Sequence, residues 1–158
     1  MGHTVRAMIA TSDVADELRL RYPVLAQVAV RQGFAILPVD ADFVDSVSEI
    51  RPETSSNDFA LLTASFDTLL RRLSLHGPIA YIETAYFGRV GRQGAAVYAR
   101  GEALMAPESR ESGPINRALA LIGVKRPLIG DRFQAIGLGR YRSNDDLIEA
   151  AERRLRDD

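Results

Sequence analysis

Residues able to do chemistry are densest in the stretch Tyr81-Ile-Glu-Thr-Ala-Tyr-Phe-Gly-Arg-Val-Gly-Arg-Gln-Gly-Ala-Ala-Val-Tyr98. Gly88, Gly91 and Gly94 recur at every third position, and Arg89 and Arg92 follow the first two. Glycine admits positive φ and close backbone approach, so the run reads as a shaped loop between two β-favouring segments. Exposed N–H groups flanked by two guanidiniums could receive a carboxylate or a phosphate. The run is not a dinucleotide fingerprint, because a strand-like Ala-Ala-Val-Tyr follows Gly94 where that motif needs a helix. It also lacks the lysine and hydroxyl residue of a phosphate-binding P-loop. The competing reading is a bulged hairpin whose glycines serve turn geometry alone.

Glu83 is the single most unusual residue. On a strand it shares a face with Ile79, Tyr81, Ala85 and Phe87, and the opposite face carries Ala80, Ile82, Thr84 and Tyr86. If the first face packs inward, the carboxyl group needs a donor, most economically Arg140 or Arg142, and becomes a candidate acid/base or binding group. If the second face packs inward, Glu83 is wet, and alternation does not choose between them. Arg140 and Arg142 belong to a second glycine and arginine cluster, residues 137–143, placed just before the last helix, where N–H groups favour anions. Asp145 and Asp146 in the first turn of that helix favour a latch to those arginines instead.

The candidate ligand-binding set is therefore Glu83, Arg89, Arg92, Arg140 and Arg142. No catalytic residue, metal or cofactor is assigned. His76, before Gly77-Pro78, reads as a helix-end residue, His3 lies at the N-terminal end, and Asp40, Asp42 and Asp45 lack the glycine and glutamate of a calcium loop. Zero cysteines exclude disulfides, thiolate metal sites and cysteine nucleophiles.

With 158 residues, 46% of them hydrophobic and 26% charged, the chain can bury a real core, and one domain is expected, with a seam near residues 51–58. All basic residues but Lys125 are arginine, a bias that GC-rich codon usage explains as well as guanidinium chemistry does. Tyr86, Phe87, Tyr98 and Tyr141 alternate with arginines as a base-stacking surface would, but the net charge of −1 argues against a dedicated nucleic-acid binder. Lacking an apolar run of about 20 residues or a signal core, the chain is expected to be cytoplasmic, with no membrane contact.

The elements that must position these groups follow from periodicity and punctuation. A strand over 4–10 leads to a helix capped by Thr11-Ser12-Asp13 and carrying Val14, Leu18 and Leu20. Two short strands turning at Gln32-Gly33 are preferred over a helix for 24–39, and Asp40 or Asp42 caps a helix through Val44 and Val47. Asp58 is expected to cap the principal core helix, where Phe59, Leu62, Phe66, Leu69, Leu70 and Leu73 form a stripe ending at His76. Strands over 79–87, 94–99 and 103–106 make a three-stranded meander. Helices then open at Pro114 and near Ser143, with residues 133–138 apolar but of undecided type. The expected fold is α+β, a mainly antiparallel sheet packed by several helices.

Two functions remain open. One is a non-catalytic intracellular module that binds a protein partner, as an inhibitor or immunity-type protein does. The other is a small enzyme or sensor holding an anionic small molecule between residues 88–94 and 140–143, with Glu83 as acid/base.

Overall fold

A computed structural model describes residues 2–55 and 58–157. Among these, the strands are β1 (Gly2–His3), β2 (Arg6–Thr11), β3 (Val28–Ala29), β4 (Phe34–Pro38), β5 (Ile79–Phe87), β6 (Val90–Ala99) and β7 (Glu102–Arg110). The helices are α1 (Ser12–Arg21), α2 (Ala41–Ser46), α3 (Ala64–Leu73), α4 (Pro114–Leu121), α5 (Arg132–Ala135) and α6 (Asn144–Asp157). The architecture is α+β. All strand pairings are antiparallel, in the order β3-β4-β2-β5-β6-β7, with β1 beside β5 next to β2.

Helices cover both faces of the sheet. Met8, Leu37, Tyr81, Ala96 and Tyr98 pack under α1, α2 and α3, whereas Ile9, Ile36, Ile82, Ala95 and Val97 pack under α4 and α6. Successive residues of one strand point to opposite faces, so β5 feeds both layers alternately. This explains why its pattern could not reveal an inward face: both faces are inward.

Local chemistry sets the boundaries. Thr11 caps α1 and Asp40 caps α2 through side-chain oxygens that accept from Val14 N–H and Phe43 N–H. Val14, Ala15 and Leu18 are the buried face of α1, while Leu20 is exposed. The two-strand reading of 24–39 matches β3 and β4, joined through a 3-10 turn with positive φ at Gln32 and Gly33. The principal helix starts later than its stripe suggests. Thr63, not Asp58, is the cap, its hydroxyl accepting from Phe66 N–H. Phe59 and Leu62 are buried all the same, from a bent, non-helical approach to the helix. The third meander strand also runs longer, to Arg110, because an edge strand tolerates Pro107 where its register against β6 shifts. Residues 133–138 resolve into the end of α5 and the entry to a 3-10 turn.

Candidate functional site

The hairpin joining β5 and β6 turns at Gly88-Arg89, and strand, not helix, follows Gly94. The three glycines have different tasks. Gly88 takes the positive φ of 63° that the two-residue turn requires. At Gly91 a Cβ would lie 2.1 Å from the Ala85 carbonyl oxygen, and at Gly94 it would lie 2.7 Å from the Phe59 ring. These positions are glycine because a neighbour occupies the Cβ space. The segment is a hairpin, but the expected loop over 88–94 shortens to a two-residue turn without a bulge, and of the three glycines only Gly88 serves the turn.

Glu83 is buried. Its partners are not arginines. One carboxyl oxygen accepts from Ala60 N–H at 2.6 Å, and the other accepts from Leu61 N–H at 2.9 Å and from the Tyr81 hydroxyl at 2.6 Å. The group thereby ties the bent 59–62 segment to the sheet. Burial, and then the nearby Glu83, push the Tyr81 hydroxyl well above the usual tyrosine range, so it stays a donor. Opposite Glu83 in the ladder stands Arg6 on β2, and Gly94 stands opposite it on β6. Arg6, Glu83, Arg92 and Ser109 border a small cleft of about 90 Å³. Arg92 donates to the Ser109 carbonyl at 2.9 Å and lies 3.7 Å from Asp58.

The second cluster approaches the other face. Thr4 N–H bonds the Arg142 carbonyl, and Arg6 N–H bonds the Asn144 side chain, which seats residues 142–144 against β2. Asp146 accepts from the Arg142 main-chain N–H at 2.9 Å, while the Ser143 hydroxyl accepts from Asp146 N–H. Asp146 thus holds residue 142 by its main-chain N–H. Arg140 borders a different hollow, with Arg31, Ile136 and Tyr141. The two clusters thus reach the same end of the sheet, but Arg140 and Arg142 do not border the cleft that Arg92 and Glu83 share.

Sequence reasoning passed over two polar groups at this end. The Thr84 hydroxyl accepts from Val5 N–H at 2.8 Å and lies 2.7 Å from His3 Nδ1; His3 Nε2 faces the Leu138 carbonyl, which can only accept, so a neutral ring carries its proton on Nε2 and leaves Nδ1 to accept from Thr84. Burial leads in lowering the His3 pKa below its ordinary value, and the Arg142 charge adds to it. Gln93, paired with Thr84 across β5 and β6, donates to the Tyr86 hydroxyl and accepts from Ile115 N–H at 2.8 Å, anchoring the start of α4; Tyr86 donates to the Glu111 carbonyl. The Thr84–Gln93 pairing was missed because residues 88–94 were read as the loop, whereas β6 begins at Val90, and His3 carried no signal beyond its residue type.

Beyond this bonded base, the tip is bare. Phe87 and Val90 face each other across the ladder and are 79% and 80% exposed. Arg89 is exposed in the turn, and Arg92 and Arg110 are exposed further back, on β6 opposite Ala85 and on β7 opposite Gln93. Arg110 and Arg117 both pair with Glu108, at 2.6 and 2.7 Å. His76 lies in the 3-10 turn after α3, as a helix-end residue would. No group of three or more His, Asp or Glu suited to a metal ion occurs among the described residues. No helix among them is long and apolar enough to cross a membrane. No family model matches the chain, and no curated protein or solved structure matches it either.

Proposed function

We propose that this protein is a non-catalytic, cytoplasmic binding module that engages a protein partner, as an inhibitor or immunity-type protein does, through the projecting end of the β5–β6 hairpin. The observation that carries this reading is the exposed Phe87–Val90 pair beside the Arg89 guanidinium on a preformed turn. Aromatic and arginine anchors dominate the energy of protein interfaces, and a rigid support lowers the ordering cost of binding. Arg92 and Arg110 are already engaged by Ser109 and Glu108, so it is the Arg89 guanidinium in the turn that calls for a carboxylate on the partner beside an apolar recess. Glu83 fits a structural role, since each of its oxygens already has a donor.

A photo-crosslinking amino acid at position 90, introduced in the living cell, captures the protein that touches the tip. Titrating that purified partner against wild type, Phe87→Ala and Arg89→Glu should show at least roughly tenfold weaker binding for each variant. Unchanged affinity in both, or no cross-linked protein at all, overturns the reading.

The alternative of an enzyme or sensor for an anionic small molecule has one feature in its favour, the cleft bordered by Arg6, Arg92 and Ser109. Its volume of about 90 Å³ suits an inorganic anion better than a metabolite. A phosphate-dependent rise in melting temperature that Arg92→Ala abolishes is the result that would favour it.

A further inference from the structure

Arg140, from the second glycine and arginine cluster, borders a hollow of about 180 Å³ that no hairpin residue lines. The turn after α5 contributes Ile136, Gly137, Arg140 and Tyr141 to it, and the segment leaving β3 contributes Val30 and Arg31. Among the described residues no acid lines this hollow. The cleft beside Arg92 differs, since Asp58 and Glu83 border it together with Arg6.

Both guanidiniums at the hollow are free to take a ligand. The ion pairs of the described residues lie at Glu17–Arg21, Asp67–Arg71, Asp58–Arg92 and around Glu108, so neither Arg31 nor Arg140 belongs to one. Both residues are exposed, and no side-chain hydrogen bond holds either. Their carriers, by contrast, are fixed. The Gln32 side chain bonds the Lys125 N–H at 2.8 Å and the Lys125 carbonyl at 3.1 Å, which pins the turn that carries Arg31. Gly137 N–H bonds the Gln134 carbonyl and Arg140 N–H bonds the Gly137 carbonyl, closing the turn that carries Arg140. Fixed carriers lower the ordering cost of binding.

The charge and size of the hollow state what fits. Two positive charges with no acid between them repel each other, and a ligand of charge −2 cancels both where a carboxylate would leave one over. A phosphomonoester is close to that charge at neutral pH and has three oxygens for two planar forks. The buried Ile136, with Val30 and Tyr141, adds an apolar floor for a carbon body. That body must be short, because about 180 Å³ lies below the roughly 300–1,000 Å³ of ordinary small-molecule pockets.

We infer that the hollow between Arg31 and Arg140 binds the phosphoryl group of a small phosphomonoester, with both guanidiniums on its oxygens and its carbon body against Ile136 and Tyr141. The site is separate from the hairpin tip and from the cleft beside Arg92.

Isothermal titration calorimetry with phenyl phosphate tests it, at constant ionic strength and about pH 7.5, where the probe is mostly a dianion. One saturable site per chain is expected, with inorganic phosphate and benzoate both binding more weakly. Arg31→Gln and Arg140→Gln alter exposed side chains, so folding, checked by circular dichroism, should persist while each weakens binding at least roughly fivefold. Arg92→Gln should bind as wild type does. The absence of saturable binding, affinity unchanged in both hollow variants, affinity lost in Arg92→Gln, or benzoate binding as tightly as phenyl phosphate overturns the inference. So does a tyrosine-phosphorylated peptide that binds about tenfold or more tightly than phenyl phosphate, since the phosphoryl group would then belong to a protein. The hairpin reading is judged separately, by affinity for its cross-linked partner.

Discussion

Glu83 tests whether a buried acid at the hairpin is structural. Its two oxygens accept three hydrogen bonds, and Gln offers only one accepting oxygen while pointing an amide donor at an N–H or a hydroxyl. Glu83→Gln should therefore cost roughly 1–3 kcal/mol in chemical denaturation. Tyr81→Phe should cost less, and in a double-mutant cycle the two effects should be non-additive, because they share one bond. His3 gives a second prediction, with a definite sign. Its pKa is held below the ordinary 6.5, chiefly by burial and also by Arg142, with Asp146 opposing, and the neutral ring accepts from Thr84. Folding favours the neutral form, so this contribution is present above the unfolded value and is lost as pH falls from there through the lowered folded value. Urea midpoints should fall between about pH 7 and pH 5 more steeply in wild type than in His3→Gln, and parallel slopes would dismiss the coupling.

At the scale of elements, the hairpin glycines and α3 make opposite demands. Gly94→Ala should cost about 1–3 kcal/mol, since the added carbon meets the Phe59 ring, which can shift. Gly91→Ala should be worse, because the obstacle is the Ala85 backbone; equal melting temperatures for the two variants would contradict this. In α3, Thr63→Ala should cost about 1 kcal/mol as a lost cap, and Phe66→Ala about 3–5 kcal/mol as a cavity under the sheet. The apolar stripe of α3 was legible because its side chains repeat with the helical period. Its start was not, since Phe59 and Leu62 keep that spacing while Ala60 and Leu61 turn their N–H groups to Glu83. A bond from backbone amides leaves no mark in residue type, and for the same reason arginines were expected to hold that carboxyl group. The hairpin, by contrast, was readable from its glycines and the strand-like run after them.

On the scale of the molecule, one sheet serves two cores, and a strand such as β5 gives Tyr81 to one and Ile82 to the other. Phe66→Ala and Leu119→Ala, one in each layer, should both shift a single unfolding transition that fluorescence and far-UV dichroism report together; separated transitions would show that the layers melt independently. The antiparallel α+β class followed from the meander and the spaced helices. The coverage of both faces did not, because alternation tells which residues share a face and not how many faces are covered. The site's chemistry was legible only in part, since proximity between residues 6, 60 and 83 depends on register that no local pattern states. Finally, β5 is bonded on both edges and roofed on both faces, yet it ends in the bare Phe87. Its central amides should be the last in the molecule to exchange with deuterium, while those of the turn exchange early. A force applied at the tip is therefore delivered by the shortest route into the slowest-opening strand, so anything that grips Phe87 pulls against the whole molecule rather than against a loop.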